Sequence, residues 1–331
     1  MIIETHAYPR AALIGNPSDG YYGKTIAFTF RNFSADVALF ESPELVIEPN
    51  ERDATVFASV EKLVEDIRQY GYYGGIRLLK ATIKCFHQHY RERGLALHGG
   101  NFSMRYRSNI PNLVGLAGSS AIITAAMRAL LRFYGVAIPA PELANLVRAV
   151  ENHELSISAG LQDRVAQVMQ GLIYMDFDKE IFDRQGYGHY EQLDPRQLPP
   201  LYIAYRTDLS EGSEVFHNDI RARFDRGDPE VREAMRFWAG LTVEARACLE
   251  RGDRRRLGEL MNANFDRRAR LYRLSEGNLR LVAAARSAGA CAKFTGSGGA
   301  IIGICEDDAT FARLRQALEP LGVVVFRPEI V

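Results

Sequence analysis

The stretch best suited to chemistry is a glycine-rich loop that leads directly into an apolar helix. Residues 111–121 read Pro-Asn-Leu-Val-Gly-Leu-Ala-Gly-Ser-Ser-Ala, and an apolar run continues to Gly135. Glycine has no Cβ, so backbone N–H groups in such a loop can approach an anion closely. The helix adds its unpaired N–H groups and the positive end of its dipole. The loop is therefore predicted to bind phosphate; the alternative is an ordinary helix N-cap.

The sequence around these glycines narrows the kind of phosphate site. No Gly-Lys-Ser/Thr follows the loop, so it is not a Walker A loop, and the spacing is not that of a dinucleotide-binding turn. A second glycine loop, at 295–299, precedes a buried-looking strand near the end of the chain. Near the start, an apolar run at 11–14 leads into a polar turn at 15–20. Three segments thus combine a short apolar element with a polar or glycine-rich loop.

An acidic residue that could take part in proton transfer lies in the segment Ala159-Gly-Leu-Gln-Asp163-Arg164. The small residues and Gly160 predict a tight loop that leads into a helix. From this pattern alone, Asp163 is either a catalytic carboxylate or an ordinary acidic residue that caps the first helical turn.

The three loops, in this order, resemble the three signature motifs of the GHMP kinase superfamily, which phosphorylates small molecules. The resemblance covers nearly the whole chain. Its detail is most similar to the glucuronokinase branch of the sugar-1-kinases, in the segments 15–25, 71–79, 159–167 and 293–300. It implies an ATP- and Mg²⁺-dependent kinase.

The resemblance also implies where ATP and the metal bind. The ATP phosphates are expected on the second motif, at Pro111, Gly115, Leu116, Ala117, Gly118, Ser119, Ser120 and Ala121. Mg²⁺ is expected on Ser120 and on Glu151, which precedes Asp163 by the twelve residues seen in galactokinase-like members. Glu154 does not match that spacing. The motif is one residue longer than the common Gly-Leu-Gly-Ser-Ser, so Ser119 is a rival ligand.

For the reaction itself, the resemblance assigns Asp163 as the catalytic aspartate. Arg10 occupies the basic position of the first motif, where the family places a residue that lowers the pKa of the aspartate or steadies the transferred phosphoryl group. An opposite charge at close range does both.

The acceptor is expected to contact the first and third motifs and the loop around Asp163. The predicted substrate-binding residues are Asp19, Tyr21, Lys24, Arg164, Gly296, Ser297 and Gly298. Asn16-Pro17 stands where galactokinases have Glu-His, which argues against galactose. A sugar acid needs a cation for its carboxylate, and the sequence leaves the choice open among Lys24, Arg77, Arg164 and Arg267. Tyr21, Tyr22, Tyr72 and Tyr73 either stack on ligand or pack in the core.

The reaction that the resemblance implies is phosphorylation of the anomeric hydroxyl of a sugar acid, with D-glucuronate first. Galacturonate, arabinose or a heptose phosphate are the alternative acceptors. A GHMP-fold protein that only binds its ligand is the alternative of a different class.

Composition limits the partners. The 331 residues carry 41 Lys plus Arg and 41 Asp plus Glu, so the formal net charge is zero. This balance argues against a nucleic-acid or membrane partner, and a small sugar remains the expected one. Four scattered cysteines and a start without a basic, apolar leader predict a cytoplasmic protein. The oligomeric state stays open.

The order of the predicted helices and strands, which must position these residues, indicates an α+β fold with two domains, 1–190 and 191–331. Strands are predicted at 11–14, 25–30, 35–48, 100–109, 171–176, 201–205, 300–305 and 323–327, and helices at 60–70, 76–90, from 119, from about 141, at 229–286 and at 308–321. The polar segment 183–200 is predicted to be the linker. The resemblance implies a ribosomal-S5-domain-2-like N-terminal domain and a ferredoxin-like C-terminal domain, with the active site between them.

Overall fold

The computed structural model describes residues 2–50, 53, 56–70, 74–207 and 213–331, without the side chains at 68–70 and 213–218. Gly71, Tyr72 and Tyr73 lie outside the described residues. The strands are β1 (Ile2–Ala7), β2 (Arg10–Ile14), β3 (Lys24–Thr29), β4 (Ala35–Glu41), β5 (Val46–Ile47), β6 (Phe102–Ser108), β7 (Leu172–Asp176), β8 (His189–Leu193), β9 (Leu201–Tyr205), β10 (Lys293–Phe294), β11 (Ala300–Ile304) and β12 (Val324–Phe326).

Helices lie before, between and after these strands. They are α1 (Val60–Tyr70), α2 (Ile76–Glu92), α3 (Gly118–Tyr134), α4 (Ala140–Ala149), α5 (Gln162–Met169), α6 (Lys179–Gln185), α7 (Ser213–Asp225), α8 (Pro229–Arg251), α9 (Arg254–Leu271), α10 (Glu276–Ser287) and α11 (Asp308–Leu318). A 3₁₀ turn at Ser18–Tyr21 follows β2, and a π-helical turn at Val150–Glu154 continues α4.

The strands form three four-stranded sheets, ordered β1-β4-β6-β5, β2-β3-β7-β8 and β10-β11-β9-β12. Pairing is antiparallel throughout except between β5 and β6. Helices and antiparallel sheets in this mixture confirm the predicted α+β class.

Helix α3 carries the glycine loop and lies at the centre of the N-terminal half. It packs against β1 and β4 and also against α2 and α5. A helix enclosed in this way must be largely apolar on every side. Ala121–Met127 are all buried, including the polar Thr124. The helix ends at Gly135, which takes the left-handed conformation (φ 63°) that favours glycine. This packing fixes where the first turn of α3 lies.

Helices from the C-terminal half join the two halves. Helix α8 packs against β3, and α9 packs against both β2 and β10. Thr242 donates a hydrogen bond to the carbonyl of Lys24 (2.8 Å), and Trp238 is fully buried beneath them. The loops after β2 and β10 are therefore held side by side.

The prediction that residues 183–200 form an irregular linker is wrong. It contains the end of α6 and strand β8, which pairs with β7 from His189 to Leu193. An edge strand buries little of either face, so polar residues are compatible with it and the pattern is easily mistaken for a linker. The domain boundary at 190 stays a prediction.

Candidate active site

One buried arginine joins all three motif loops. Arg10 lies in β2 with 5% of its surface exposed. Its Nη1 donates to the carbonyl of Gly115 (2.8 Å) in the second loop and to the carbonyl of Thr295 (2.8 Å) in the third. Three segments that lie more than 100 residues apart in sequence thus meet at one guanidinium.

The same arginine holds Asp163, in the first turn of α5. Arg10 Nε lies 2.6 Å from Oδ1, and Arg164 Nη1 lies 3.1 Å from Oδ2. Burial raises the pKa of Asp163, but the charges of Arg10 and Arg164 outweigh burial and hold that pKa below its usual value. Asp163 is therefore an ionised carboxylate, and with its side chain 18% exposed it can still be reached by a ligand.

The second loop presents backbone N–H groups. Leu113, Gly115 and Ala117 have positive φ angles of 56°, 69° and 62°, which is strained for the two non-glycine residues. Ala117 is the N-cap of α3 and makes no side-chain cap. The N–H groups of the first helical turn therefore lack the usual side-chain acceptor, as an anion site requires.

The remaining predicted residues of this loop shape it. Leu116 and Ala121 are buried in the core, and the carbonyl of Leu116 accepts a hydrogen bond from the N–H of Arg10 (3.3 Å). Pro111 lies partly exposed at the start of the loop, and Gly118 begins α3. These residues can serve a phosphate only through the backbone they position.

The third loop packs backbone to backbone on the second. A Cβ on Gly115 would lie 3.0 Å from the carbonyl oxygen of Gly298 and 3.0 Å from the N–H of Ser297. A Cβ on Gly296 would overlap the carbonyl of Gly115. Glycine at these positions is what lets the two loops touch, because any side chain would separate them.

Ser119, and not Ser120, is brought to Glu151. Ser119 Oγ donates to Glu151 Oε1 over 2.7 Å. Ser120 is fully buried and donates back to the carbonyl of Ala117 (3.2 Å). The predicted pairing of Ser120 with Glu151 is therefore not found, because the extra loop residue shifts which serine faces the site.

The Ser119–Glu151 pair suits Mg²⁺. Two ligands about 2.1 Å from an octahedral ion and at right angles lie about 3 Å apart, close to the separation of these two oxygens. Both are hard oxygen donors, and Mg²⁺ commonly takes one or two protein oxygens together with substrate phosphates. Within the described residues, no cluster of three or more His, Cys, Asp or Glu side chains offers a metal cage.

Arg164 is already paired. Its guanidinium contacts Glu151 Oε2 through Nε (2.7 Å) and through Nη2, and donates to the carbonyl of Gly160 (3.1 Å) in addition to its contact with Asp163. Burial lowers the pKa of Arg164, but Glu151 and Asp163 raise it above its usual value. Arg164 thus holds Glu151 and Asp163 in place, and its predicted contact with substrate stays a prediction.

Asp19 lies beside Asp163. Its Oδ2 accepts a hydrogen bond from the N–H of Gln162 (3.3 Å), and a Cβ on Gly160 would collide with it. Burial, with a further contribution from the negative charge of Asp163, raises the pKa of Asp19 to about 6. Asp19 thus adds a second carboxylate beside Asp163, and its predicted contact with the sugar stays a prediction.

Two predicted substrate residues have other contacts. Tyr21 is 6% exposed, packs on Phe224 with ring centroids 5.0 Å apart, and lies under the guanidinium of Arg221 at 4.2 Å. Lys24 forms an ion pair with Asp176 on the neighbouring strand. The structure does not bring Lys24 to Asp163.

Comparisons with known proteins agree with this arrangement. Residues 77–171 match the model of the GHMP kinases N terminal domain, and residues 245–321 match that of the GHMP kinases C terminal domain. Glucuronokinase 1 of Arabidopsis thaliana is 43% identical over 318 residues, covering 94% of this chain and 87% of its own length. The chain belongs to the GHMP kinase family. The resemblance seen in the three motifs is confirmed.

Two further comparisons extend this result. The probable glucuronokinase 2 of Arabidopsis thaliana is also 43% identical to this GHMP kinase, over 95% of the chain and 87% of that protein. A Lactococcus lactis galactokinase solved with galactose has a TM-score of 0.74 over 99% of this chain and 93% of its own, with 17% identity, and so shares the fold. The protein is thus a small-molecule sugar kinase, and its family implies ATP use.

Sequence reasoning missed two residues, one that holds the third loop of the kinase and one that holds the first. Arg268 Nη1 and Nη2 donate to the carbonyls of Gly296 (2.7 Å) and Ser297 (2.9 Å). Asn264 accepts from the N–H of Gly15 (2.7 Å) and donates to the carbonyl of Asn16 (3.0 Å). Asn264 and Arg268 are four residues apart on the apolar face of α9, and polar residues at such positions were the available signal.

The kinase shows no membrane-crossing element in the part of the chain that is described. None of the helices there combines the length and the apolar character that a bilayer span needs.

Proposed function

We propose that this kinase transfers the γ-phosphoryl group of ATP to the anomeric hydroxyl of a hexuronic acid, with D-glucuronate as the first candidate. The observation that carries the proposal is the ionised Asp163, held between Arg10 and Arg164 next to an uncapped helix N-terminus. The similarity to the two Arabidopsis thaliana proteins supports the choice of acceptor.

In the proposed reaction the ATP phosphates lie on the N–H groups at 115–121. The C1 oxygen of the sugar attacks the γ-phosphorus, the bond from that phosphorus to the β-γ bridging oxygen breaks, and ADP leaves. Asp163 accepts a hydrogen bond from the C1 hydroxyl and takes its proton. Because the transition state of phosphoryl transfer is loose, the proton leaves late, and a carboxylate with a low pKa can serve mainly by orienting the hydroxyl.

The neighbouring side chains have supporting roles in this proposal. Arg10 neutralises charge that develops on the transferred phosphoryl group. Asp19 accepts hydrogen bonds from sugar hydroxyls, and the loop at 296–298 closes over the phosphates. Ser119 Oγ and Glu151 Oε1 would hold Mg²⁺, which when bound neutralises the ATP phosphates.

The proposal also covers the organisation of the chain. Domains 1–190 and 191–331 each supply part of the site, since the second loop comes from the first domain and the third loop from the second. A cytoplasmic location is part of the proposal, and it is supported by the free thiols of Cys85, Cys248, Cys291 and Cys305.

The test is a coupled ADP-release assay with ATP, Mg²⁺ and a panel of D-glucuronate, D-galacturonate, D-galactose and L-arabinose. We expect turnover selective for D-glucuronate. Equal rates on the neutral sugars would overturn the sugar-acid assignment, while selectivity for galacturonate would replace the acceptor.

If none of the four sugars is phosphorylated, two explanations are possible, and calorimetry distinguishes them. Binding of Mg²⁺-ATP would point to another acceptor, such as a heptose phosphate. No binding of Mg²⁺-ATP would point to a GHMP-fold protein without kinase activity and overturn the proposal.

A further inference from the structure

The charged side chains around Asp163 pair almost completely with one another. Arg10 pairs with Asp163, and Arg164 pairs with both Asp163 and Glu151. The second oxygen of Glu151 accepts from Ser119. Arg164 is therefore committed to two carboxylates of the chain and is not available to bind the carboxylate of a sugar acid.

Arg148 differs from these two arginines. It lies in α4, three residues before Glu151, and residues three apart share a face of a helix. Its side chain is partly buried, and within the described part of the chain it makes no hydrogen bond or salt bridge. On the same face, Asn145 donates to the carbonyl of Gly186 (2.8 Å).

Two of the groups within electrostatic range of Arg148, Arg164 and Asp19, belong to the acceptor side of the site. Burial lowers the pKa of Arg148, the charges of Arg164 and Arg221 lower it further, and Tyr190 and Asp19 raise it. Arg148 and Asp19 thus influence each other without forming an ion pair. A ligand that carries both a carboxylate and hydroxyl groups can contact a guanidinium and a carboxylate that are not paired with each other.

A partly buried guanidinium without an anionic partner is unfavourable, because burial removes water and nothing replaces it. Proteins accordingly pair such charges with carboxylates, phosphates or a ligand. Among the described residues, Glu151 and Asp163 are engaged by other cations, so an anionic ligand would be a suitable partner for Arg148.

Three of the four cations that the sequence suggested for a substrate carboxylate are engaged elsewhere, and Arg77, the fourth, is not free either. Lys24 pairs with Asp176, Arg164 with Glu151, and Arg267 with Glu233 at 3.4 Å. Arg221 donates to the carbonyl of Gly20 and covers the ring of Tyr21. Among the described residues, Arg148 is a basic side chain within electrostatic range of Asp19 that forms no ion pair.

We propose that Arg148 binds the carboxylate of the hexuronic acid and so sets the preference for a sugar acid over a neutral sugar. This inference rests on the function proposed above. In a hexuronate the carboxylate-bearing carbon and the anomeric carbon both flank the ring oxygen, so the cation that binds the carboxylate must lie near the catalytic aspartate. Arg148 meets this requirement because Arg164, which contacts Asp163, is one of its electrostatic neighbours.

The test compares D-glucuronate with D-glucuronamide, which has nearly the same shape and no charge. Wild type is measured first, for kcat/KM with both compounds and for their calorimetric Kd. Arg148→Gln removes the charge, and Arg148→Lys keeps the charge but not the planar fork. Arg184→Gln, at an exposed position of α6, is the matched control. Calorimetric binding of Mg²⁺-ATP verifies that each variant is folded.

We expect Arg148→Gln to lower kcat/KM for D-glucuronate about 100-fold, the scale for truncating one partner of a buried charge pair, and to leave the values for D-glucuronamide nearly unchanged. Arg148→Lys should lie between, and Arg184→Gln should match wild type.

Two results would overturn the role of Arg148 while leaving the proposed function intact: an unchanged kcat/KM for D-glucuronate in Arg148→Gln, or an equal loss with both compounds. Failure of wild type to phosphorylate D-glucuronate would instead overturn the proposed function, and the inference with it. The wild-type measurement therefore separates the two kinds of failure.

Discussion

The proposed phosphate side and the proposed acceptor side of the site are formed by different chemical groups. The phosphate side, at 113–121 and 296–299, consists of backbone N–H groups, glycines and residues with positive φ, and neither segment contains a charged side chain. The acceptor side consists of paired charges, with Asp163 and Glu151 held by Arg10 and Arg164. Backbone groups suit the phosphates common to every reaction of such a kinase, whereas side chains can distinguish one acceptor from another.

This difference assigns separate tasks to the two sides. Substitutions on the acceptor side should alter chemistry or sugar preference at constant ATP affinity. Substitutions on the phosphate side should alter nucleotide or metal affinity and leave sugar preference unchanged.

The largest effect is expected from Asp163→Asn. The amide keeps the shape of the carboxylate, but it cannot take the proton of the C1 hydroxyl and has only one oxygen that accepts hydrogen bonds. We therefore expect kcat to fall about 10³-fold. Affinity for Mg²⁺-ATP, measured by calorimetry, should stay nearly unchanged, because the nucleotide is expected on the other side. A near-normal kcat would remove Asp163 from the reaction.

The next effect is on stability, through Asp19. Its pKa is raised from 3.8 to about 6 in the folded protein, so the folded state binds more protons between these values and stability falls as the pH rises through that window. The penalty above pH 6 is about 3 kcal/mol for a shift of this size. Asp19→Asn lacks this charge, and its Oδ1 can still accept from the N–H of Gln162.

Thermal unfolding of the free enzyme at pH 4.5 and pH 7.5 measures this difference. We expect Asp19→Asn to be more stable than wild type, and we expect this stability difference to be larger at pH 7.5 than at pH 4.5. The control is Asp219→Asn, at an exposed position of α7. Parallel pH profiles for Asp19→Asn and wild type would show that Asp19 is not a strained charge, while its role toward the sugar is read separately from KM.

A smaller effect is expected on the phosphate side, from Gly115→Ala. Gly115 and Gly135 have similar positive φ angles, 69° and 63°, but a Cβ on Gly135 meets nothing within 4 Å. Gly135→Ala should therefore cost only the left-handed backbone strain, about 1 kcal/mol. Gly115→Ala places its Cβ 3.0 Å from backbone atoms of Ser297 and Gly298. Contacts this close must push the second and third loops apart.

Denaturant unfolding and the KM for ATP test this pair of alanine variants. We expect Gly115→Ala to be the less stable of the two, by about another 1 kcal/mol, and to raise the KM for ATP about tenfold. Equal behaviour of the two variants would mean that contact between the loops does not shape the nucleotide site.

The same contrast explains what could be predicted from the sequence. Glycine spacing records backbone geometry directly, so the loops at 111–121 and 295–299 could be recognised as glycine-rich loops, and their binding of phosphate stays a prediction. Helix α3 and strand β9 could be located because burial leaves a plain apolar pattern. Edge strand β8 could not, since its polar residues are compatible with either a strand or a linker.

The acceptor side was harder to predict because its pairs join distant residues. No local pattern shows that Arg164 engages Glu151 thirteen positions away, or that Arg268 supports the third loop. Arg148 has the sequence appearance of any helix surface charge, and only the pairing of its neighbours sets it apart. Side-chain partnerships of this kind depend on the tertiary fold.

The smallest effect concerns the two serines, where the added loop residue left the sequence undecided. Ser119→Ala removes the hydroxyl that lies 2.7 Å from Glu151, and we expect the Mg²⁺ concentration at half-maximal rate to rise about tenfold. Ser120→Ala is the matched control: its hydroxyl is buried against the Ala117 carbonyl, which also accepts from Gln167 (2.8 Å). Ser120→Ala should lower the free energy of unfolding by about 1 kcal/mol and leave the Mg²⁺ dependence unchanged. The opposite result, in which only Ser120→Ala changes the Mg²⁺ dependence, would mean that the first turn of α3 rotates when nucleotide binds. The phosphate side would then not be preformed.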